Sequence, residues 1–179
     1  MRTWILTNLA PILCFLVLVS RLGDVLSTWL ATPTLLLESN ALVRRYGWKL
    51  ALLSTLLCLV PFIHTGTGVT ILVVSLLATA SNAGKIWLAR ALGEEGCHQL
   101  LLDGARHSVS FVAFAGQAAS SLFMTLSGII LFVFYPDPHS DWGFWFAFGI
   151  LVYGLAGLIH GLLYFRQLFR EAGESESLG

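Results

Sequence analysis

Stretches of about twenty apolar residues recur from one end of this 179-residue chain to the other, and no other feature limits its fold so tightly. A run of that length suffices for one helix across a hydrocarbon core of about 30 Å. Inside such a core every backbone N–H and C=O must be bonded within the protein, so a helical bundle is the expected architecture. Only 11% of the residues are charged, against about 25% in a soluble domain. The chain therefore predicts an all-α, polytopic membrane domain over residues 1–170, with a polar, disordered tail over 171–179.

Proline, glycine and polar clusters divide the apolar sequence into five expected transmembrane helices, at about 4–32, 41–63, 69–90, 107–135 and 142–169. Pro33 ends the first, because proline lacks a backbone donor and disfavours helix at the preceding residue. Ser39 or Asn40 is placed to cap the second, and Gly66 and Gly68 make a turn before the third. Residues 91–106, with Gly93, Gly96 and Gly104, read as the longest polar loop. Arg2 and the apolar run after it resemble a signal peptide, but no small-x-small cleavage site follows and the pattern continues past Arg21. That segment reads as an uncleaved first helix.

Basic residues are unevenly distributed about this path. Arg44, Arg45 and Lys49 follow the first span, Arg90 and Arg106 bound the loop after the third, and Arg166 and Arg170 lie near the C-terminal end. Arg2 alone lies on the other side. The positive-inside rule then puts the N-terminus outside and the C-terminus in the cytoplasm. Trp4, Trp142 and Trp145 fall at the outer interface, Trp48 and Trp87 at the inner one. Short loops point to a multi-pass protein of a prokaryotic cytoplasmic membrane.

Small residues mark where helices approach closely: Gly154, Gly157 and Gly161 in the fifth span, Gly116 and Ser120 in the fourth, Ala80 and Gly84 in the third. The second span, with Ser54, Thr55 and Cys58 among aliphatics, is expected to face lipid or pack peripherally. Five spans do not divide into two inverted halves, which weakens a transporter of the inverted-repeat kind.

Polar groups within apolar runs carry the functional signal, because a charge near a helix centre costs about 2.5–3.5 kcal/mol to insert. Arg21, Asp24 and Thr28 are three and four residues apart and share one helix face, with Ser27 beside it. At a rise of ~1.5 Å per residue, Asp24 lies about 12 Å from the inner end of its span, and Asn82, Lys85, Gln117 and His160 fall at comparable depths. A polar cavity in the inner half of the bundle is expected to gather them. A local Arg21–Asp24 ion pair that only fixes helix rotation accounts equally well for the first two.

After Pro33, Thr34 and three leucines lead to Glu38, Ser39 and Asn40, a piece too short to span. Folded back toward Asp24, it offers two carboxylates and an amide, a set suited to Mg²⁺ or Ca²⁺ or to proton acceptance. Alternatively, Glu38 and Asn40 cap the second span. The residues Asp24-Val-Leu-Ser27-Thr28 and Glu38-Ser-Asn40 resemble an Asp-x-x-Ser-Thr…Glu-x-Asn-Pro signature of small, uncharacterised prokaryotic integral-membrane proteins. The resemblance covers about thirty residues, and Ala41 stands where that signature has proline. It implies the membrane class and the place of a site, and no reaction.

Other constellations are weaker. Asp137, His139 and Asp141 alternate in an outer loop and form a candidate metal site short of a fourth protein ligand. Glu94, Glu95, Cys97, His98 and Asp103 read as a solvated inner loop. Cys14 and Cys58 are small packing residues in apolar runs. No motif requires a cofactor, and zero net charge gives no reason to expect nucleic acid. The expected partners are the lipid bilayer and a second copy or a larger membrane complex. Three function classes follow: an accessory or binding bundle for a small or lipidic ligand; an intramembrane enzyme on a lipid-linked substrate, using Asp24, Glu38 and His160; and an ion-coupled transporter with Asp24 titrating.

Overall fold

The computed structural model describes residues 8–107, 110–138 and 142–176, and all regular structure within them is helical. α1 (Leu9–Ala31) is one unbroken helix. Its hydroxyls do not interrupt it, because Ser20 donates to the Val17 carbonyl at 2.9 Å and Ser27 to that of Asp24 at 3.0 Å. The helix stops ahead of Pro33, with the Thr32 N–H closing onto the Thr28 carbonyl at 2.8 Å.

The second expected span is not one helix. α2 (Ala41–Tyr46) ends at Gly47, whose φ of 69° a side chain would disfavour. α3 (Trp48–Leu53) then passes into a 3₁₀ segment, Ser54–Phe62, that contains Pro61. Proline has no amide for an α-helical bond, and the hydroxyls of Ser54 and Thr55 take the carbonyls of Ala51 and Leu52. The segment lies at the periphery: it packs on α1 and α4 and leaves Leu56, Leu57, Leu59 and Phe62 exposed.

α4 (Thr65–His107) joins the third expected span to the expected polar loop. It breaks at Gly93 alone, with φ 75° and ψ 163°, and resumes as helix. Residues 91–106 are therefore not a loop, and the solvated setting expected for Cys97 and His98 does not hold. Cys97 is 4% exposed, and Leu102 packs against Leu168 and Ala172. The glycines misled because Gly96 and Gly104 lie within helical turns, whereas apolar residues between them need a buried face.

α5 (Ser110–Phe134) and α6 (Trp142–Glu176) complete the chain. α6 runs six residues beyond Arg170, so the tail expected from 171 onward is helical as far as Glu176. Gln167 donates to Glu171 at 2.6 Å, and burial of Ala172 ties this last stretch down. Among the described residues, three helices are long and apolar enough to cross a membrane: Leu9–Ala31, Thr65–Ala105 and Trp142–Gly173. Trp48–Phe62 and Ala118–Phe134 are shorter apolar stretches.

α4 is the centre of the bundle. α1 and the 3₁₀ segment pack on one side of it, α6 on the other, and α5 pairs with α6. Segment ends fall into two groups. Residues Thr34–Leu36, Arg44, His98 and Tyr164 to Glu171 meet at one end. At the other, His64 packs edge-on against Trp145 at 4.9 Å, and the Trp145 indole N–H donates to the Pro138 carbonyl at 2.9 Å.

The α5–α6 contact is made by glycine, only partly at the expected positions. A Cβ on Gly154 would come within 2.6 Å of the Thr125 backbone nitrogen, and one on Gly128 within 2.6 Å of that of Leu151. Gly116 and Gly84, expected at contacts, face open space. Gly128→Ala is expected to destabilise the bundle by about 1–3 kcal/mol through overpacking against backbone, with Gly116→Ala near neutral. Thermal unfolding of the two variants in detergent checks this; equal midpoints would contradict the packing described.

Candidate functional site

Arg21 and Asp24 stand one turn apart on α1 and meet as an ion pair at 2.8 Å, with 14% and 16% of their side chains exposed. Local spacing accounts for that contact. The remaining partners come from elsewhere in the chain. Arg21 Nη2 donates to Ser54 Oγ in the 3₁₀ segment, and Nη1 reaches Ser75 Oγ on α4 at 3.5 Å. Asn82, also on α4, donates through Nδ2 to Thr28 Oγ1 at 2.9 Å and to Asp24 Oδ1 at 3.3 Å. One charged pair thus holds three elements in register.

This network forms one wall of a cavity of about 540 Å³. Arg21, Asp24, Thr28, Glu38, Asn40, Asn82, Lys85 and His160 all line it. Eight of the nine residues that the sequence marks for a shared cavity are therefore brought together; the side chain of the ninth, Gln117, lies outside the described residues. Val74, Leu77, Met124 and Tyr153 supply an apolar part of the lining. Among the described residues α1 makes no extended contact with α5 or α6, so α4 forms the back of a groove between them. The imidazole Nδ1 of His160 and the Nε of Arg21 are buried without a hydrogen-bond partner among the described residues, and Lys85 is an exposed cation on the same wall. Nothing in the sequence marks Ser75 or Tyr153 as belonging here; single polar residues in apolar helices are common packing elements.

The segment after α1 is a strap, held by a residue that sequence reasoning places in solvent. Glu94 follows the Gly93 break, and its carboxylate accepts the Thr34 N–H at 3.0 Å, the Leu36 N–H at 2.8 Å and the Thr32 hydroxyl. Thr32 Oγ1 in turn accepts the Leu37 N–H at 3.0 Å. Leu35, between the two bonded amides, has φ 64°, a left-handed conformation rare for a side-chain-bearing residue. Spacing gave no warning, because Glu94 and the strap are some sixty residues apart.

The strap delivers Glu38 and Asn40 to the cavity. Asn40 Oδ1 accepts the Leu42 and Val43 N–H groups at 3.0 and 3.4 Å, so Asn40 caps α2. Glu38 Oε1 accepts the Asn40 N–H at 2.7 Å. Burial raises the Glu38 carboxyl above its ordinary value, against the Asn40 amide and Lys85, which lower it. Asp24 and Glu38 do not form a metal set with His160: among the described residues no three of His, Cys, Asp and Glu are grouped to hold an ion. The ion pair and the Asn40 cap occupy lone pairs such a site would need. Of the outer-loop candidates, Asp137 is described, while His139 and Asp141 lie outside the described residues.

At Glu94, burial pushes the carboxyl up, but the bonds from Thr32, Thr34 and Leu36 together outweigh it and leave it below the ordinary value. A lowered carboxyl stabilises the fold above its unfolded pKa and loses that contribution as pH falls through the lowered value. Protection of the Thr34 and Leu36 amides is therefore expected to fall below the normal glutamate range. In Glu94→Ala it is expected to be at least about tenfold lower at neutral pH, for a charge-assisted bond of about 1.5–3 kcal/mol. Hydrogen exchange at the two amides measures both effects, and unchanged protection in Glu94→Ala would rule out the clasp.

For the ion pair, Asp24→Leu alone is expected to cost about 3–5 kcal/mol, because Arg21 is left buried without its counter-charge. Arg21→Met with Asp24→Leu should cost far less. A double-mutant cycle by equilibrium unfolding in mixed micelles measures the coupling, and additive losses would show the two charges to be independent.

Family models, curated proteins and solved structures were all compared with this chain, and none matches it.

Proposed function

We propose that this is a five-span membrane protein of a prokaryotic cytoplasmic membrane, with its N-terminus outside, and that its bundle binds a small or lipidic ligand in the inner-leaflet cavity. The observation that carries this reading is the convergence of Arg21, Asp24, Glu38, Asn82, Lys85 and His160 on one cavity of about 540 Å³. Polar groups at membrane depth are retained where they face partners or a wet space. Here Asp24 already matches the charge of Arg21, while Lys85 and the buried His160 nitrogen are left for an occupant. The apolar lining beside them, and the gap between α1 and α6, suit a molecule with a polar head and an apolar body.

The topology draws support from the two groups of segment ends. The strap, the basic helix α2, the stretch past Gly93 and the end of α6 meet at one end, which is the cytoplasmic one by the positive-inside rule. The kinship with small prokaryotic integral-membrane proteins suggested by the Asp24–Asn40 residues belongs to the same proposal. So does assembly with a second copy or a larger complex, for which the exposed apolar surface leaves room.

Native mass spectrometry of protein purified from its membrane tests the binding role. Retention of a bound lipid or small molecule is expected in the natural sequence, with at least a fivefold loss in Lys85→Met/His160→Ala. Ala78→Phe, which fills the cavity, should lower it as well. Equal occupancy in all three would overturn the reading. Reporter fusions at the C-terminus check orientation: a fluorescent protein should be active there and a periplasmic phosphatase inactive.

A further inference from the structure

Four buried side-chain polar atoms lack a hydrogen-bond partner among the described residues, and they divide between two cavities. Arg21 Nε and His160 Nδ1 belong to side chains of the large one. His98 Nδ1 and the Tyr164 hydroxyl belong to a second, smaller cavity of about 220 Å³ at the strap end of the bundle. A buried group without a partner costs about 1–3 kcal/mol, so two on one small cavity call for an occupant.

Charge identifies its kind. Arg44 lines this cavity with its guanidinium 5.9 Å from the Tyr164 ring centre, and it belongs to neither the Arg21–Asp24 nor the His98–Glu171 pair. The carboxylate nearby, Glu171, is already engaged: it accepts from Gln167 at 2.6 Å and faces His98 Nε2 at 3.6 Å. Water would satisfy a hydroxyl and a ring nitrogen but would leave the guanidinium without a counter-charge. A phosphate group supplies several acceptor oxygens and negative charge together, and a planar guanidinium binds it by two parallel bonds. We propose that Arg44, His98 and Tyr164 form an anion site for a phosphate group, either free or on a lipid headgroup. The site is distinct from the large cavity, yet both share the strap, whose residues Thr34–Leu36 border one and Glu38–Asn40 the other.

The test uses the full chain in neutral detergent and in phosphatidylcholine nanodiscs with or without phosphatidic acid. Inorganic phosphate and sulfate are titrated against the thermal midpoint, and bound phosphatidic acid is counted by native mass spectrometry. A free-anion site predicts a saturable rise in midpoint with either ion. A headgroup site predicts retained phosphatidic acid with little response to the free ions. In both cases Arg44→Gln should weaken binding at least fivefold and Tyr164→Phe, which keeps the ring, about threefold, while Arg45→Gln behaves as the natural sequence. The proposal is overturned by no response to any probe, by equal effects of Arg44→Gln and Arg45→Gln, or by an Arg44-dependent response untouched by Tyr164→Phe.

Discussion

Arg21 is the charge around which the first half of the bundle is set. A part-buried guanidinium among apolar side chains is tolerated when its charge is matched and most of its donors are bonded. The match is local, at Asp24, whereas the bonds reach Ser54 in the 3₁₀ segment and Ser75 on α4. Rotating α1 or withdrawing the 3₁₀ segment would strand a donor in an apolar setting. Asn82 works the same way from the other side, because bonds to Asp24 and Thr28 fix the height of α4 against α1. Orientation of these helices therefore follows from polar satisfaction more than from apolar packing, which distinguishes poorly between lipid and protein neighbours.

The strap depends on a comparable principle applied to backbone. Between α1 and α2 the chain leaves helical geometry, so its amides need partners from outside the segment. Glu94 supplies them, and it can do so because Gly93 breaks α4 just before it and lets the helix restart beside the strap. The break, the left-handed Leu35 and the placing of Glu38 are parts of one arrangement. It connects the Gly93 end of α4 to both cavities.

Cavity shape is set by what the helices do not touch. Glycines bring α5 and α6 into backbone contact at Gly128 and Gly154, and α6 packs on α4, but among the described residues α1 makes no extended contact with the α5–α6 pair. Close packing on one side and separation on the other leave a groove with polar residues along part of its wall. Small residues at an interface permit approach without dictating it, which is why Gly84 and Gly116 meet nothing.

The sequence by itself determined the helical class and the end of α1 before Pro33, and it offered the Arg21–Asp24 pair, a cap at Ser39 or Asn40, and the grouping of the cavity residues as readings. Each of these depends on spacing within one helix or on the chemistry of one residue. The 3₁₀ segment, the helix beyond Gly93, the continuation of α6 to Glu176 and the clasp at Glu94 were settled only by tertiary structure. Their causes are contacts between residues far apart in the chain, such as Leu102 with Leu168 and Glu94 with Leu36. A glycine-rich polar stretch has the same composition whether it is a loop or a helix with one buried face. Only the neighbour that covers that face decides between them.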